Sequence, residues 1–184
     1  MAGVFNEAVL TTQGIALLTK AQAGLCTITL TKAVSGDGSY AEGEDITGRT
    51  ALKSQKQEFS INQVTVQNPK NVFVKFIITN YKSALDYLAE GYYVKEIGLY
   101  ATDPDDGEIL YAIATAVTDQ WDYLPSYDNL IPSKITIEMV TEVSNADEVT
   151  VEMPNREYIY DDITGDKYTI GIENGVLYVE EVEE

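Results

Sequence analysis

The sequence has no histidine and a single cysteine, Cys26, in 184 residues. Histidine is the usual general base near neutral pH and the commonest metal ligand. Its absence excludes Ser-His-Asp and Cys-His catalysis and histidine-based zinc sites. One cysteine excludes a disulfide within the chain. Cys26 lies in an apolar alternation with Leu25, Ile28 and Leu30, which favours a small buried hydrophobic residue over a reactive thiol.

Basic residues are also scarce, with 12 Lys and Arg against 30 Asp and Glu, a net charge of -18. Such a chain repels phosphate backbones and anionic membrane surfaces, so we expect neither a nucleic-acid nor a membrane partner. No apolar run approaches the roughly 18 residues of a membrane span. Residues 1–7 lack the basic flank and apolar run of a signal peptide, which predicts synthesis in the cytoplasm.

Motifs of catalysis and cofactor binding are missing as well. Gly36-Asp37-Gly38 follows a predicted strand but lacks the Walker lysine and the third glycine of a dinucleotide fingerprint. The acidic stretch 103–108 resembles the start of a calcium loop, yet the twelfth position, where an EF-hand needs glutamate, is Ala114. A hairpin turn explains its Asp-Gly pair equally well. We therefore predict no catalytic, cofactor-binding or metal-binding residue, and keep structural calcium as an alternative to a plain turn.

Residues 11–24 have the pattern of a helix. Thr12 is placed to cap its N-terminus, and Gly24 lies where a left-handed residue ends a helix. An apolar stripe at near-helical spacing marks one face, which predicts either core packing or a contact with a partner. The stripe consists of Ile15, Leu18, Ala21 and Leu25.

The hydrophobic period then changes from 3.6 to 2, which is typical of strands. We expect a helical turn over 50–56 and a short helix over 83–90 that begins at Ser83 and ends at Gly91. These elements predict a mainly β (α+β) fold, in which the N-terminal helix precedes an antiparallel sandwich or small barrel. The predicted strands are 26–34, 59–66, 72–79, 92–101, 109–117 and 134–143.

Composition changes near residue 153, which predicts domains 1–153 and 154–184. From Asn145 to Glu184 there are twelve acidic and two basic residues, a net charge of -10. The pattern of the second domain predicts an acidic β-hairpin appendage with an Asn174-Gly175 turn. An isolated hairpin is marginally stable in water, so we expect it to pack on the main domain, a neighbouring subunit or a partner.

Thirteen tyrosines stand out against four Phe and one Trp. Trp121, Tyr123 and Tyr127 lie together in a proline-containing loop. Tyrosine and tryptophan are enriched at protein interfaces because they join apolar area to a polar tip. This loop predicts either local packing or a partner contact.

Several segments resemble, in the same order, the N-terminal domain of phage tail fibre proteins. The resemblance covers residues 8–150 and includes a Leu-Thr-rich helix, a Gly-Asp-Gly turn and a Glu-Ile-Gly-Leu strand. In the alternating strand around Glu96, one face suits the core, and the other suits a buried or interfacial carboxylate. A glycine at 98 lets a backbone or ring approach closely. The matching motif residues are Gly14, Gly36, Asp37, Gly38, Glu96 and Gly98.

The resemblance implies a structural protein that connects the baseplate of a phage or phage-tail-like particle to a fibre or receptor-binding component. It implies no catalysis and no cofactor, and it implies a baseplate protein and a fibre protein as partners. It also implies a homotrimer, or attachment in several copies around the tail axis. It also implies a place in the virion tail after synthesis in the host cytoplasm. Family members typically continue into a shaft and tip, whereas only one predicted hairpin follows here, which favours a connector. The alternative is a receptor- or glycan-binding module whose Trp121 loop stacks on sugars.

Overall fold

The computed structural model describes residues 5–68, 71–142, 159–160, 167–173 and 176–181. The chain divides into two compact units, Met1–Met153 and Pro154–Glu184. Strands make up most of the regular structure in both, with one helix near the start of the described residues. The predicted mainly β class is therefore confirmed.

The helix α1 spans Thr12–Gln22. Its N-cap is Thr11 rather than the predicted Thr12, because the Thr11 hydroxyl accepts the backbone N–H of Gly14 at 3.0 Å. The prediction for Gly24 is confirmed, since this residue has a φ of +70°. Backbone bonds from Gly24 to Ala21 and from Leu25 to Lys20 complete a Schellman cap.

The buried face of α1 is offset from the predicted stripe. Gly14, Leu17 and Leu18 are buried, whereas Ile15 is 51% exposed and Leu25 is 75% exposed. Glycine carries no hydrophobic signal, so the apolar pattern begins at Ile15, one residue after the buried Gly14. Within the described residues, no helix has the length and apolar character that crossing a bilayer requires.

The described part of the first unit contains twelve strands. They are β1 (Val9–Leu10), β2 (Thr29–Gly36), β3 (Gln55–Phe59), β4 (Ile61–Asn68), β5 (Asn71–Thr79), β6 (Tyr81–Ser83), β7 (Asp86–Tyr87), β8 (Tyr92–Val94), β9 (Glu96–Asp103), β10 (Gly107–Thr115), β11 (Asp122–Leu124) and β12 (Lys134–Glu142).

These strands form two larger antiparallel sheets and two small ladders. The first sheet has the order β1-β10-β9-β2-β3, and the second has the order β12-β5-β4. The ladders are β11-β8 and β6-β7. Only Ser60 separates β3 from β4, so the chain passes from one sheet to the other between two buried residues, Phe59 and Ile61.

Side chains from both sheets and from α1 form one buried core. Leu17 of α1, Leu99 of β9 and Phe76 of β5 are fully buried in it. A second cluster, which includes Leu52, Tyr100 and Leu110, is covered in part by Tyr40 and Ile46 from the segment after β2. As a result β9 is buried on both faces, and its apolar character is nearly continuous.

Three predicted elements differ from the structure. The helix predicted over 83–90 is wrong, because β6 and β7 form a tight hairpin there and the Ser83 hydroxyl accepts the turn amides of Leu85 and Asp86. Leu85 is 99% exposed, so a helix would have had no core to face. The helical turn predicted over 50–56 is wrong, since bends lead there into β3. The strand predicted over 26–34 begins later, at Thr29.

The strands predicted between residues 59 and 143 are otherwise present. The strand predicted over 92–101 is interrupted at Lys95, which separates β8 from β9 and places them in different sheets. The chain reverses between β9 and β10 at the predicted Asp-Gly turn, where Gly107 has a φ of +76°.

The second unit contains a three-stranded antiparallel sheet in its described residues. Its strands are β13 (Ile159–Tyr160), β14 (Lys167–Glu173) and β15 (Val176–Glu181), in the order β13-β14-β15. The predicted hairpin is present as β14 and β15, and β13 adds a third strand. The predicted Asn174-Gly175 turn lies outside the described residues.

Candidate functional site

Glu96 is a fully buried carboxylate at the start of β9. It accepts the backbone N–H groups of Gly38 at 3.0 Å, Lys53 at 2.9 Å and Ser54 at 2.7 Å, and the hydroxyl of Tyr40 at 2.5 Å. A buried charge is tolerated when hydrogen bonds satisfy it, and four donors do so here. The carboxylate therefore ties both ends of the loop 37–54 to the first sheet.

The Gly-Asp-Gly motif packs directly against this carboxylate. A Cβ added at Gly36 would lie 2.5 Å from Glu96 Oε1, and one added at Gly38 would lie closer still. At Gly38 the added atom would also lie 2.6 Å from the Lys53 side chain. The motif glycines and Glu96 thus form one structural device, in which small residues let the backbone reach the carboxylate.

Asp37, between the two glycines, forms an ion pair of 3.1 Å with Lys56. Burial opposes ionisation of this carboxyl, but hydrogen bonding from Ser54 and the Lys56 charge outweigh it and lower its pKa. In the same loop Lys53 pairs with Glu44 at 2.6 Å. These contacts hold the loop at several points besides Glu96.

The remaining motif glycines lie where other groups approach closely. At Gly98 in β9, an added Cβ would lie 2.7 Å from Leu110 Cδ1 and 3.1 Å from Leu52 Cδ2. Gly14 lies against the backbone carbonyl of Tyr111, which lets α1 pack tightly on β10. The six motif residues therefore build the scaffold of the first unit, and none of them presents a large reactive surface.

An aromatic surface, which consists of Tyr93, Trp121 and Tyr123, lies on the β8-β11 ladder. Tyr93 and Tyr123 are register partners with ring centroids 5.0 Å apart, and Trp121 lies edge-on to Tyr93 at 5.9 Å. Lys95 Nζ lies 4.1 Å from the Trp121 ring centroid in a cation–π contact. Tyr93 and Tyr123 are about half exposed, at 49% and 54%. Their rings are available to a partner.

The other two predicted contact residues lie elsewhere. Tyr127 packs on Tyr81 and Tyr87, with ring centroids 4.5 Å and 6.1 Å away, so the predicted aromatic loop is divided between two clusters. Leu18 is 8% exposed and packs in the core. Of the two alternatives for the stripe, the structure gives Leu18 the core position.

Two shallow hollows border the aromatic surface. One, of about 560 Å³, lies between the 38–44 segment and Trp121, and the other, of about 650 Å³, is lined by Lys56, Tyr93 and Tyr123 among others. Lys95 lines both. Small substrates usually bind in a deep, enclosed pocket. This surface, with its two shallow hollows, suits contact with a macromolecule better.

At the acidic turn, an ammonium group lies between two of the carboxylates. Lys20 Nζ lies 2.7 Å from an Asp103 oxygen and 2.8 Å from Asp105. Asp103 also accepts the backbone N–H groups of Asp105 and Asp106. The lysine hydrogen bond lowers the pKa of Asp103. The described residues contain no group of three or more acidic or cysteine side chains that could hold a metal ion.

Cys26 is half-buried against the core, and burial raises the pKa of its thiol. This placement agrees with a small hydrophobic residue.

Sequence reasoning missed Tyr40, Lys53 and Lys95. Tyr40 and Lys53 lie in an irregular loop, where no periodicity reveals a contact. Lys95 had a signal: a lysine that interrupts an apolar strand pattern is a candidate for a break between strands, and it lies between two aromatic segments.

The sequence model of one family, described as phage tail-collar fibre protein, N-terminal, matches residues 1–159. No curated protein and no solved structure matches the chain. The match spans most of the sequence, so the chain belongs to the phage tail-collar fibre family through the N-terminal domain of that family. It is therefore a structural component of a phage tail.

Proposed function

We propose that this tail-collar fibre protein connects the baseplate of the tail to a separate fibre or receptor-binding component. The single observation that carries the proposal is the division of the chain relative to the family. The match ends at residue 159, close to the boundary between the two units, and β14 and β15 lie beyond it. Because the first unit matches the family, it suits an attachment that family members share. The second unit lies mostly beyond the match, and it suits a partner that differs between family members.

In this proposal, the first unit is the attachment domain and contacts the baseplate protein. Its described surface offers the half-exposed aromatic rings beside two shallow hollows, which is the composition of a protein interface. The acidic second unit, residues 154–184, contacts the fibre or receptor-binding protein. The chain is made in the host cytoplasm and joins the virion tail on assembly.

We further propose that the chain acts as a homotrimer in the particle, as the family resemblance implies. Light scattering of the purified chain at two concentrations measures this directly. A mass of three chains, or of six where two trimers associate, supports the trimer, and any other stable mass at both concentrations contradicts it.

The connector role is tested with full-length variants in assembling particles. Gly171 lies in the middle of β14 and is the register partner of Tyr178 in β15, so Gly171→Pro, which fixes the backbone φ and has no N–H, disfavours this strand pairing, and Gly171→Ala is the matched control. We expect G171P chains to enter the tail, while particles lose the next component. G171A particles should keep both.

Two results contradict the connector role. Particles that carry G171P and still hold the fibre component show that the second unit is not its anchor. Loss of the chain itself from G171P tails, with normal incorporation of G171A, shows that the first unit alone does not attach.

A second candidate function is glycan binding at the aromatic surface. The favouring observation is that Tyr93 and Tyr123 expose about half their surface, while Lys95 covers the ring of Trp121. Sugar stacking would therefore use the tyrosines rather than the predicted Trp121. A glycan array with the wild-type chain and with Tyr123→Ala tests it: binding lost in Y123A supports this function, and an array without hits removes it.

A further inference from the structure

The second sheet of the first unit ends in a long edge. Its outermost strand, β12, pairs with β5 through nine residue pairs, from Lys134 with Thr79 to Glu142 with Asn71. In the described ranges no strand pairs with the other side of β12. An edge of this length presents unpaired backbone groups that can accept another strand.

The side chains of β12 alternate in a pattern that is self-complementary. Lys134, Thr136 and Glu138 are exposed on one face, whereas Ile135 and Ile137 are half-buried on the other. In an antiparallel pair, directly opposite residues share a face, and their side chains interact. The order of charges along β12 therefore indicates which partner strand would place opposite charges next to each other.

We propose that β12 pairs antiparallel with β12 of a second copy of this chain, about a twofold axis at Thr136. In this register Lys134 of each copy lies opposite Glu138 of the other, and Thr136 lies opposite Thr136. Ile135 lies opposite Ile137 on the other face. Every opposite pair is favourable, because opposite charges, paired threonines and paired β-branched residues each stabilise a sheet.

The pairing also completes a charge pattern across the sheet. Within one copy Glu138 lies opposite Lys75, and Lys134 lies opposite Thr79, which has no charge. The second copy supplies Lys134 with its acidic neighbour. A register shifted by four residues, with its axis at Glu138, is disfavoured at its centre because it places this carboxylate opposite itself.

An apolar groove lies beside the strand. A groove of about 330 Å³ lies along β12, and its lining includes Phe5, Ile97, Ala114 and Met139. The isoleucine face of a second β12 would extend this apolar lining. The overlap of five residues per strand is short, so the contact is weak and depends on concentration.

This inference goes beyond the proposed function, because it concerns contact between copies rather than attachment to the tail. A twofold contact joins two chains, or one chain from each of two trimers. The test therefore measures whether the mass of the smallest stable species doubles, whether that species is a single chain or a trimer.

The experiment is a charge swap followed by sedimentation velocity over a range of concentrations. Lys134→Glu places two carboxylates opposite each other at both ends of the paired segment, and Glu138→Lys places two ammonium groups opposite each other at the same two places. We expect each variant to self-associate about tenfold more weakly than wild type. An equimolar mixture of K134E and E138K places opposite charges at both ends of the mixed dimer in the proposed register, so the mixture should recover association near the wild-type level. The double variant K134E/E138K also restores both pairs in this register and should recover wild-type association.

Two controls separate this contact from general charge and from folding. Lys82→Glu on β6 and Glu90→Lys change net charge equally at exposed positions, and both should double in mass like wild type. Urea unfolding of K134E and E138K verifies that each is folded. A wild-type chain that never doubles, single variants that associate like wild type, or a double variant without recovery overturns the proposal.

Discussion

The loop around Glu96 and the aromatic surface around Tyr93 lie on either side of Lys95 and are built in opposite ways. Glu96 is buried, charged and satisfied by four donors, and glycines leave room for it. Tyr93 and Tyr123 are half exposed and contact mainly each other and Trp121. The family motif thus maintains the scaffold, whereas the surface available to partners consists of residues outside the motif.

The largest loss of stability is expected at Glu96. We expect Glu96→Gln to lower the free energy of unfolding by about 3 kcal/mol, because an amide cannot accept from four donors and leaves buried groups unpaired. Urea denaturation measures this. Glu90→Gln, at an exposed position, is the control and should change little; equal losses in the two variants would mean that Glu96 does not organise the loop.

Gly38→Ala tests the same region through space rather than charge. The added methyl group would overlap Glu96 Oε1, and we expect a loss of about 2 kcal/mol from the displaced carboxylate. Gly48→Ala is the matched control, because an added Cβ there meets nothing within 4 Å. Thermal and urea unfolding of both variants decide the point, and a G38A chain as stable as G48A contradicts the packing argument.

Acid should lower the free energy of unfolding through loss of the Lys20-Asp103 contact. The expected loss is smaller than that of either substitution above. The pKa of Asp103 is lowered in the folded chain, so its stabilisation is present above the unfolded value of about 4 and is lost as pH falls below it. Asp103→Asn should therefore flatten the decline of stability between about pH 5 and pH 2. Asp106→Asn, exposed in the same turn, is the control. If both variants keep the wild-type slope, the ion pair does not contribute.

The smallest effect on stability is expected at the aromatic surface. Tyr123→Ala should cost about 0.5–1 kcal/mol, the size of one aromatic cross-strand pair. A double-mutant cycle with Tyr93→Ala measures that coupling by urea unfolding. A loss as large as that of E96Q would place Tyr123 with the scaffold and remove the contrast between the regions.

Much of the fold was predictable because strands and turns leave local signals. The alternation around Glu96 predicted a carboxylate that was buried or interfacial, and the structure resolves this to buried. The Asp-Gly turn before β10 also followed from its residues alone. These features depend on neighbours in sequence, which is why pattern was sufficient.

The failures share a physical cause, since the deciding contacts were distant in sequence. The donors to Glu96 come largely from backbone amides, which every residue carries and no motif marks. The Ser83 segment has helical propensity but no buried face to stabilise a helix, so tertiary context made it a hairpin. Trp121 and Tyr127 are near neighbours in sequence, yet they lie in separate clusters.

The pairing of the N-terminal segment with β10 has a consequence for biosynthesis. The Thr11 hydroxyl donates to the carbonyl of Leu110, 99 positions later in the chain. During translation, the first helix therefore leaves the ribosome long before its docking surface exists. We expect the first sheet to close late and slowly, as non-local topologies do, with the apolar side of that helix open to chaperones until then.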